Sequence, residues 1–469
     1  LLTEEQKNNA PDAICEGSVI AKGYKDRSYY MGISPLDCTG CGNCIDVCPA
    51  KGKALKMIPI EESEEQSNWD FVSHFTLENP PEGLLSTIKG SQFLKPYFEF
   101  SGACAGCGET TYAKLITQLF GDRMMISNAA GCTTVWGGSA PSVPFTQDEN
   151  GYGPCWGFSL FEDNAEYGLG MFLGYCVVRE EIRTKLENIC TRIGETNDIA
   201  QLQLLEAINE WEQNYDEGEE TRKRSAKLIK MLEKNLELDG VKEILERKDY
   251  LIKRSNWIFG GDGWAYDIGY GGLDHVMSTG NDVNVMVFDT EVYSNTGGQA
   301  SKSTPRAAIA KFAAAGKSGR KKDLGKMIMS YGNVYVAQIA IGANPSQALK
   351  AIREAEAYHG PSLIIGYAPC VNHGIKGGMG KTQSHEKKAV ESGYWNLYRY
   401  NPSLKEQGKN PFQLDSGEPK IPFKDFLMSE VRYMSLMQRD PELAEELFRQ
   451  AQEDAHNRFE EYKRLSLSL

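Results

Sequence analysis

The sequence of 469 residues contains no uninterrupted apolar run long enough to cross a bilayer, no excess of basic residues and no internal repeat. Lysine and arginine number 51 against 64 aspartates and glutamates, which gives a net charge of −13. A chain with this balance presents no broad basic surface, so we predict neither a nucleic-acid partner nor a membrane partner. Its length exceeds that of one ordinary domain, and an apolar content of 41% is enough for a sizeable core.

Four of the twelve cysteines stand close together at Cys38, Cys41, Cys44 and Cys48, and Pro49 follows them. This C-x₂-C-x₂-C-x₃-C-P spacing is typical of bacterial ferredoxins, in which the thiolates hold 4Fe-4S clusters. The alternatives are a zinc knuckle and a set of buried thiols, but zinc sites usually pair two cysteines and leave a longer gap before the next two ligands. Clustered thiols of this kind do not form a secreted disulfide framework, so we expect them to be kept reduced in the cytoplasm.

The last cysteine of such a run typically ligates the second cluster of a two-cluster unit. No second run occurs in the sequence, and the chain begins with Leu1 instead of methionine. We therefore expect Cys38, Cys41 and Cys44 to hold a cluster whose fourth ligand lies upstream. The first cluster loop would then belong to a missing N-terminal portion.

The chain divides by composition into three parts. We predict a partial ferredoxin-type segment with a linker over residues 1–80, an α/β domain over 81–421 and a charged helical arm over 422–469. The arm is expected to pack on another domain or subunit. Within the α/β domain, residues 178–250 are dense in Glu, Lys, Arg and Leu at helical spacing, which predicts an inserted set of surface helices.

Short apolar runs bounded by turn residues predict the strands of the α/β domain. They lie at Trp257–Phe259, Val283–Phe288, Val334–Ile341 and Leu363–Tyr367, and the stretch Pro345–Tyr358 has helical spacing. Alternating strands and helices favour a mostly parallel sheet that is covered on both faces. Residues 97–171 are rich in Gly, Cys and Thr, and we expect loops to dominate there.

Two polar loops follow predicted neighbouring strands. The first is Gly260-Gly261-Asp262-Gly263-Trp264, and the second begins at Asp289-Thr290. Glycines at the end of a strand let the backbone approach a phosphate, and magnesium commonly bridges a carboxylate to a diphosphate. Since parallel strands end at one edge of the sheet, Asp262, the Thr290 hydroxyl and the Val292 carbonyl could share one Mg²⁺.

The second loop reads Thr290-Glu291-Val292-Tyr293-Ser294-Asn295-Thr296-Gly297-Gly298-Gln299. With the Gly-Asp-Gly run it resembles the thiamine-diphosphate domain of pyruvate:ferredoxin (flavodoxin) oxidoreductases. The resemblance extends to Cys104-Ala-Gly-Cys107-Gly-Glu109-Thr, to Gly131-Cys132-Thr133 and to Ala368-Pro369-Cys370-Val-Asn-His-Gly. It covers nearly the whole chain.

The resemblance implies a second cluster that is held by Cys104, Cys107, Cys132 and Cys370. Without it, Cys104 and Cys107 could equally form a redox dithiol, and the other two would be buried structural thiols. It also implies that Asn295 faces the substrate, where its amide can bind a developing oxyanion. The residues implied to contact the cofactor are Glu109, Cys132, Gly261, Asp262, Gly263, Trp264, Thr290, Glu291, Val292, Tyr293, Ser294 and Asn295.

The implied reaction is the oxidative decarboxylation of pyruvate to acetyl-CoA and CO₂, with electrons passing through the 4Fe-4S clusters to ferredoxin or flavodoxin. We also expect a homodimer. In this family the glutamate that activates thiamine and the arginine that holds the substrate carboxylate belong to the N-terminal half, so this chain alone should turn over poorly. The alternatives are an oxidoreductase for another 2-oxo acid, such as oxoglutarate or an aryl pyruvate, and a pure iron–sulfur electron carrier.

Several conspicuous residues are predicted to have structural roles. Gly374 to Thr382 looks like a nucleotide-binding P-loop, but Ile375 stands where the first glycine is required and no clear helix-forming run follows. We interpret His373 and His385 as structural and Tyr394-Trp395 as core. The cysteines that match no ligand position are Cys15, Cys155, Cys176 and Cys190.

Overall fold

The predicted α/β class is confirmed in the computed structural model, which describes residues 1–75, 86–139 and 143–467. A short antiparallel pair, β1 (Val19–Ile20) and β2 (Ser28–Tyr29), lies near the N-terminus. The remaining described strands form one sheet of eight, in the order β10-β9-β7-β8-β6-β5-β3-β4. Their bounds are β3 Met124–Ala129, β4 Cys155–Ser159, β5 Ser255–Gly261, β6 Asn284–Asp289, β7 Tyr335–Ile339, β8 Ser362–Tyr367, β9 Tyr398–Tyr400 and β10 Phe412–Leu414.

Six strands, from β7 to β4 in the sheet order, pair in parallel, and β9 and β10 add an antiparallel edge. The inner strands β6 and β8 are buried at every position, which explains why their sequences are apolar without alternation. Side chains of successive residues nevertheless enter two different cores. Ile258, Val285 and Leu363 face one, and Trp257, Met286 and Ile364 face the other.

Helices cover both faces of the sheet. Within the described residues they are α1 Glu4–Asn8, α2 Asp12–Gly17, α3 Asn43–Asp46, α4 Gln66–Val72, α5 Ile88–Ser91, α6 Glu109–Phe120, α7 Cys132–Thr134, α8 Asn164–Ile193, α9 Ile199–Gln213, α10 Thr221–Glu233, α11 Val241–Glu246, α12 Tyr270–Ser278, α13 Leu324–Met329, α14 Pro345–Glu356, α15 Thr382–Glu391, α16 Phe423–Leu427, α17 Val431–Arg439 and α18 Pro441–Leu467. The helices α6 and α14 pack on one face, and α12, α13, α17 and α18 pack on the other. The arrangement is a three-layer α/β/α domain.

The prediction that loops dominate residues 97–171 is wrong, because β3, β4 and α6 lie there. The β4 sequence Cys-Trp-Gly-Phe-Ser and the polar end of β3 have little local strand signal. Pairing makes them strands: β3 lies parallel to β5 with Met124 opposite Ser255, and β4 lies parallel to β3 with Cys155 opposite Met125. Tertiary pairing therefore overrides weak local propensity.

The predicted insertion is helical and has its own core, which includes Leu186, Ile208, Trp211 and Leu232. Its first helix, α8, begins at Asn164, well before the predicted boundary at residue 178. The early turns of α8 belong to the α/β domain, since Gly168 packs against Ile258 of β5. The insertion is thus a continuation of a helix that covers the sheet.

The C-terminal arm packs on the α/β domain of this same chain. Tyr433, Leu436, Phe448 and Tyr462 of α17 and α18 are buried in the core on one face of the sheet. The predicted boundary between residues 80 and 81, with Asn79-Pro80-Pro81, lies outside the described residues, as do the last two residues of the arm. No helix in the described part of the chain is long and apolar enough to span a membrane.

Candidate functional site

Four neighbouring strands end at one edge of the sheet and deliver the residues singled out in the sequence. In the order β8-β6-β5-β3, their carboxyl ends lead to Cys370, Thr290, Asp262 and Cys132. Ligands of parallel α/β sheets bind at this edge because the loops there converge. A pocket of about 230 Å³ opens at the ends of β3, β5 and β6. It is lined by Glu109, Ala130, Gly131, Cys132, Thr133, Phe161, Gly261, Asp262, Gly263, Trp264, Val292, Tyr293, Ser294, Asn295 and Thr296.

Three oxygens predicted to share a metal meet beside this pocket. The Thr290 hydroxyl donates to Asp262 Oδ1 at 2.9 Å and lies 3.0 Å from the Val292 carbonyl oxygen, to which it can also donate. The Thr290 backbone N–H also donates to Asp262 Oδ1, at 3.2 Å. All three residues are buried. The structure thus brings together one carboxylate, one hydroxyl and one carbonyl, a donor set that suits a hard cation.

Asp262 lies where a negative charge needs a partner. Burial of its carboxyl raises its pKa well above the usual range, and the nearby Asp289 raises it further. The Ser301 hydroxyl donates to Asp262 Oδ2 at 2.6 Å and opposes this shift. Because a hydroxyl cannot neutralise a buried charge, a divalent cation fits this carboxylate.

Asp289, which the sequence analysis did not assign, organises the loop. Its Oδ1 accepts from the Ser303 hydroxyl at 2.5 Å and from the Glu291 N–H at 3.1 Å. Its Oδ2 accepts from the Tyr266 hydroxyl and from Lys321 Nζ, both at 2.8 Å. Four donors occupy the two oxygens, so Asp289 braces the loop. Its place at the end of β6 was visible in the sequence, but Lys321 lies in a basic run that gave no signal.

Glu291, which is predicted to contact the cofactor, is not among the residues that line the pocket. Its side chain points away from the pocket. There its carboxylate accepts a hydrogen bond from Tyr394 at 2.5 Å and forms ion pairs with Arg432 at 2.6 Å and Lys321 at 3.1 Å. Although burial opposes ionisation, Lys321 and Arg432 lower the pKa of Glu291 to about 2. Its backbone has a φ of 60°, in the left-handed region that non-glycine residues seldom adopt. Glu291 therefore shapes the turn between Thr290 and Val292.

A buried ionic network extends behind this turn. Arg432 of α17 pairs with Glu430 at 2.5 Å, and Glu430 accepts from His385 at 2.7 Å. His373 donates through Nε2 to the Thr290 carbonyl at 2.7 Å, and burial together with Arg432 lowers the pKa of His373 to about 4. Both histidines are buried, as their structural interpretation requires. The arm thus reaches Glu291, which lies between two predicted metal ligands, through Arg432.

The four cysteines of the second predicted cluster come from three loops that pack together. A Cβ added to Gly108 would lie 2.6 Å from Pro369 N, so the turn containing Cys104 and Cys107 abuts the loop containing Cys370. Burial raises the pKa of Cys370 to about 11, and the charges of Glu109 and Cys104 act in the same direction. Burial also raises the pKa of Cys107, with contributions from Cys132 and Cys370. Asn372 Nδ2 lies 3.5 Å from Cys370 Sγ and 3.4 Å from the carbonyl oxygen of Ser294, whose hydroxyl contacts Cys132, so the loops of Cys370 and Cys132 also meet.

Cys132 is the point where this group meets the pocket. Ser294 donates to its Sγ at 3.2 Å, and Asn295 Oδ1 lies 3.9 Å from it. Across the described ranges, no three Cys, His, Asp or Glu side chains surround a single metal ion. A cubane places each thiolate on a different iron, so its ligands stand further apart than those of one ion. Four thiols on three loops that pack together suit such a cluster.

The ferredoxin-type run forms a loop at the surface. Cys44 lies in α3, and Cys38 and Cys44 are exposed. Cys48 Sγ accepts from the Ala54 N–H at 3.3 Å, and hydrogen bonds from Ala54 and Ala50 lower the pKa of Cys48. That the fourth ligand of this cluster lies upstream of the sequence stays a prediction.

Glu109 is the first residue of α6 and lines the pocket. Burial raises its pKa to about 7, while the Trp136 indole N–H, which donates to Oε2 at 2.6 Å, acts in the opposite direction. A carboxyl group with this pKa can give or take a proton near neutrality. Of the residues predicted to contact the cofactor, all but Thr290 and Glu291 line the pocket. The lining residues that were not predicted to contact the cofactor are Ala130, Gly131, Thr133, Phe161 and Thr296.

Two comparisons define the class of protein. Residues 244–365 match the family model of the C-terminal TPP-binding domain of thiamine pyrophosphate enzymes, and residues 31–51 match that of the 4Fe-4S binding domain. The first segment contains Asp262, Thr290 and Val292, and the second contains Cys38 to Cys48. The chain therefore combines a thiamine-diphosphate type of domain with an iron–sulfur type of segment.

Relatives specify the family further. The chain is 55% identical to the pyruvate-flavodoxin oxidoreductase of Klebsiella pneumoniae, over 99% of this chain and 39% of that protein. It is 54% identical to the pyruvate-flavodoxin oxidoreductase of Enterobacter agglomerans, over 100% of this chain and 40% of that protein. It is 52% identical to the pyruvate:ferredoxin oxidoreductase of Moorella thermoacetica, over 97% of this chain and 39% of that protein. The predicted resemblance is confirmed, and the chain spans about two fifths of the length of these relatives.

Proposed function

We propose that this chain is the cofactor-binding part of a pyruvate:ferredoxin or pyruvate:flavodoxin oxidoreductase, which converts pyruvate and coenzyme A to acetyl-CoA and CO₂. The observation that carries the proposal is the convergence of two donor sets at one sheet edge. Three oxygen ligands stand beside one wall of the pocket, and Cys132, one of the four cysteines of the second predicted cluster, lines it. Named relatives that are similar over nearly the whole chain support the same reaction. A cytoplasmic location would keep these thiols reduced.

The oxygen ligands fit Mg²⁺. An octahedral ion with ligands at 2.0–2.1 Å places adjacent ligands about 2.9 Å apart. The hydroxyl oxygen of Thr290 lies 2.9 Å from Asp262 Oδ1 and 3.0 Å from the Val292 carbonyl oxygen. Both distances are close to the spacing of adjacent corners of such an octahedron, and the remaining positions would be available to diphosphate oxygens and water.

Thiamine diphosphate, when bound, supplies the carbanion chemistry of the 2-oxo acid decarboxylation. This chain's residues bind and orient it. Gly261 and Gly263 let the backbone approach the diphosphate, Glu109 offers a carboxyl that can exchange a proton, and Asn295 offers an amide to a substrate oxygen. Cys104, Cys107, Cys132 and Cys370 would hold the cluster that accepts the electrons.

Cofactor binding is tested by anaerobic titration calorimetry of the iron-loaded chain with thiamine diphosphate in the presence of Mg²⁺. Asp262→Asn keeps the shape of the side chain and removes its charge, so the affinity should collapse while the iron content stays unchanged. The matched control is Asp249→Asn, an exposed position in the helical insertion, which should bind as the wild type does. Wild-type affinity in Asp262→Asn would contradict the metal site.

The substrate is tested in the full-length enzyme, because the resemblance places the thiamine-activating glutamate outside this sequence. Pyruvate should support coenzyme A-dependent reduction of ferredoxin or flavodoxin at the highest kcat/KM. If 2-oxoglutarate or an aryl pyruvate were preferred, the pocket would belong to the alternative 2-oxo acid oxidoreductase. If no 2-oxo acid reduced the clusters, the electron-carrier alternative would hold.

A further inference from the structure

The glycine-rich loop 374–382, which the sequence analysis compared with a P-loop, lies between the two groups of cysteines. On one side Gly380 contacts Cys41 of the ferredoxin-type run. On the other side Met379 contacts Gly106, which lies between Cys104 and Cys107. The loop therefore touches the ligand segments of both predicted clusters.

Both contacts require glycine. A Cβ added to Gly380 would lie 2.4 Å from the Cys41 carbonyl oxygen, and one added to Gly106 would lie 2.4 Å from the Met379 carbonyl oxygen. Each distance is far below a van der Waals contact, and the atom met is a backbone atom that cannot swing away. Gly380 itself has an ordinary helical backbone, so its missing side chain serves the close approach alone.

The polar residues of the motif are used in the same contacts. Lys381 pairs with Asp46 of α3, which lies between Cys44 and Cys48. The Thr382 hydroxyl donates to the Gly106 carbonyl at 2.6 Å and to the Met379 carbonyl at 2.8 Å. A P-loop would direct its lysine and hydroxyl to a phosphate and its metal. The expectation that no helix follows was wrong, since α15 begins at Thr382, but the rejection of a nucleotide site stands on these contacts.

The loop is also fixed at its start. The Val431 N–H donates to the Gly374 carbonyl at 2.9 Å, and the Lys376 N–H donates to the Ser429 carbonyl at 2.8 Å. These residues of the C-terminal arm belong to the same stretch as the buried Glu430. At its other end the loop continues into α15, which packs in the α/β domain through His385 and Ala389. The loop is therefore held at one end by the C-terminal arm and at the other end by α15 of the α/β domain.

We propose that loop 374–382 is a rigid spacer that docks the ferredoxin-type segment on the turn containing Cys104 and Cys107 and sets the distance between their two clusters. This inference rests on the proposed function, since it assigns a cluster to each group of cysteines. Each transfer would oxidise the cluster at Cys104 by one electron and reduce the cluster at Cys41 by one electron, with no bond made or broken. The backbone contacts of Gly380 with Cys41 and of Gly106 with Met379 keep the two cysteine-bearing segments close to each other.

The test uses Gly380→Ala with Gly417→Ala as the matched control, because a Cβ at Gly417 would meet nothing within 4 Å. Hydrogen–deuterium exchange of the anaerobic, iron-loaded full-length enzyme is followed in the peptides that correspond to residues 31–51 and 374–382. Gly380→Ala should accelerate exchange in both peptides and leave the sheet strands unchanged, whereas the control should match the wild type. Wild-type exchange in both peptides of Gly380→Ala would overturn the docking.

A second measurement tests the distance. Dithionite-reduced full-length enzyme should show an EPR interaction between the two clusters, and Gly380→Ala should weaken it at unchanged iron and sulfide content. Lys381→Met should act in the same direction more weakly, because the pair is partly exposed, and Lys381→Arg should restore the wild-type signal. An unchanged interaction in Gly380→Ala would overturn the spacer role. Failure of the wild type to hold iron at both cysteine groups would instead refute the proposed function.

Discussion

The turn between Thr290 and Val292 gives the sharpest prediction, because its geometry depends on a single residue in an unfavourable conformation. Glu291 has a φ of 60°, and this turn brings the Thr290 hydroxyl within 3.0 Å of the Val292 carbonyl oxygen. Its carboxylate is anchored by Arg432, Tyr394 and Lys321. We infer that the anchor holds the left-handed backbone, and that the backbone places the two metal ligands.

Two substitutions separate the conformation from the anchor. Glu291→Ala and Glu291→Gly both remove the carboxylate and leave Arg432 and Lys321 without this partner. The free-energy cost of the lost ion pairs is therefore the same in both variants and cancels when they are compared. They differ in the backbone, because glycine adopts the left-handed region freely whereas alanine pays roughly 1–2 kcal/mol for it. In Glu291→Ala the turn relaxes in the free protein and must be restored on binding. Thiamine diphosphate with Mg²⁺ should therefore bind about 5- to 30-fold more weakly to Glu291→Ala than to Glu291→Gly.

Titration calorimetry of the iron-loaded chain measures both affinities. The chain offers a matched control in Glu220, which also has a left-handed backbone, with a φ of 56°, but lies in the helical insertion. Glu220→Ala and Glu220→Gly should differ in their resistance to urea and not in cofactor affinity. Equal affinities for the two Glu291 variants, or tighter binding by Glu291→Ala, would refute the reasoning.

Three further predictions concern the cluster, the substrate and the buried carboxyl Glu386. Cys370→Ala should lower the iron and sulfide content of the anaerobic chain, whereas Cys155→Ala, an exposed position on β4, should not; equal contents would remove Cys370 from the ligand set. Asn295→Ala in the full-length enzyme should bind thiamine diphosphate normally and lose about 10²–10³ in pyruvate-dependent rate, and near-normal turnover would leave Asn295 as a loop residue. Burial raises the pKa of Glu386 to about 8, so the folded state keeps a proton that the unfolded chain releases near its ordinary pKa of about 4.3. The free energy of unfolding should therefore fall by about 1.4 kcal/mol per pH unit as the pH rises from that value to about 8, and Glu386→Gln should remove this fall in urea titrations; an unchanged pH profile would contradict it.

The ionic network behind the turn explains why the C-terminal arm is part of the site. Arg432 joins Glu291 to Glu430, and both partners are fully buried. Removing one partner of such a pair leaves an uncompensated buried charge, which typically costs about 3–5 kcal/mol. The arm is thus joined through Arg432 and Glu291 to the loop that carries two of the predicted metal ligands.

Much of the site could be predicted from the sequence because its chemistry depends on residue type and spacing. The Gly-Asp-Gly run and the Thr290 loop each follow an apolar run, and the rule that parallel strands end together was sufficient to join them. The cysteine spacing from Cys38 to Cys48 is local, so it specified its type of cluster without any structure. The assignment of Cys132 and Cys370 needed the family resemblance, since each is isolated in the sequence.

Tertiary structure alone decided which polar residues line the pocket and which hold the loops. Glu291 belongs to the motif, yet its carboxylate faces Arg432, which is 141 positions away in the chain. Asp262 and Asp289 both follow strands, but four donors saturate Asp289, while Asp262 faces the pocket with a buried charge to neutralise. Similarly, the strands β3 and β4 and the contact of Gly380 with Cys41 arise from pairing and packing between distant segments. Sequence patterns record local periodicity and spacing, whereas burial, charge pairing and backbone approach depend on neighbours that only the folded chain brings together.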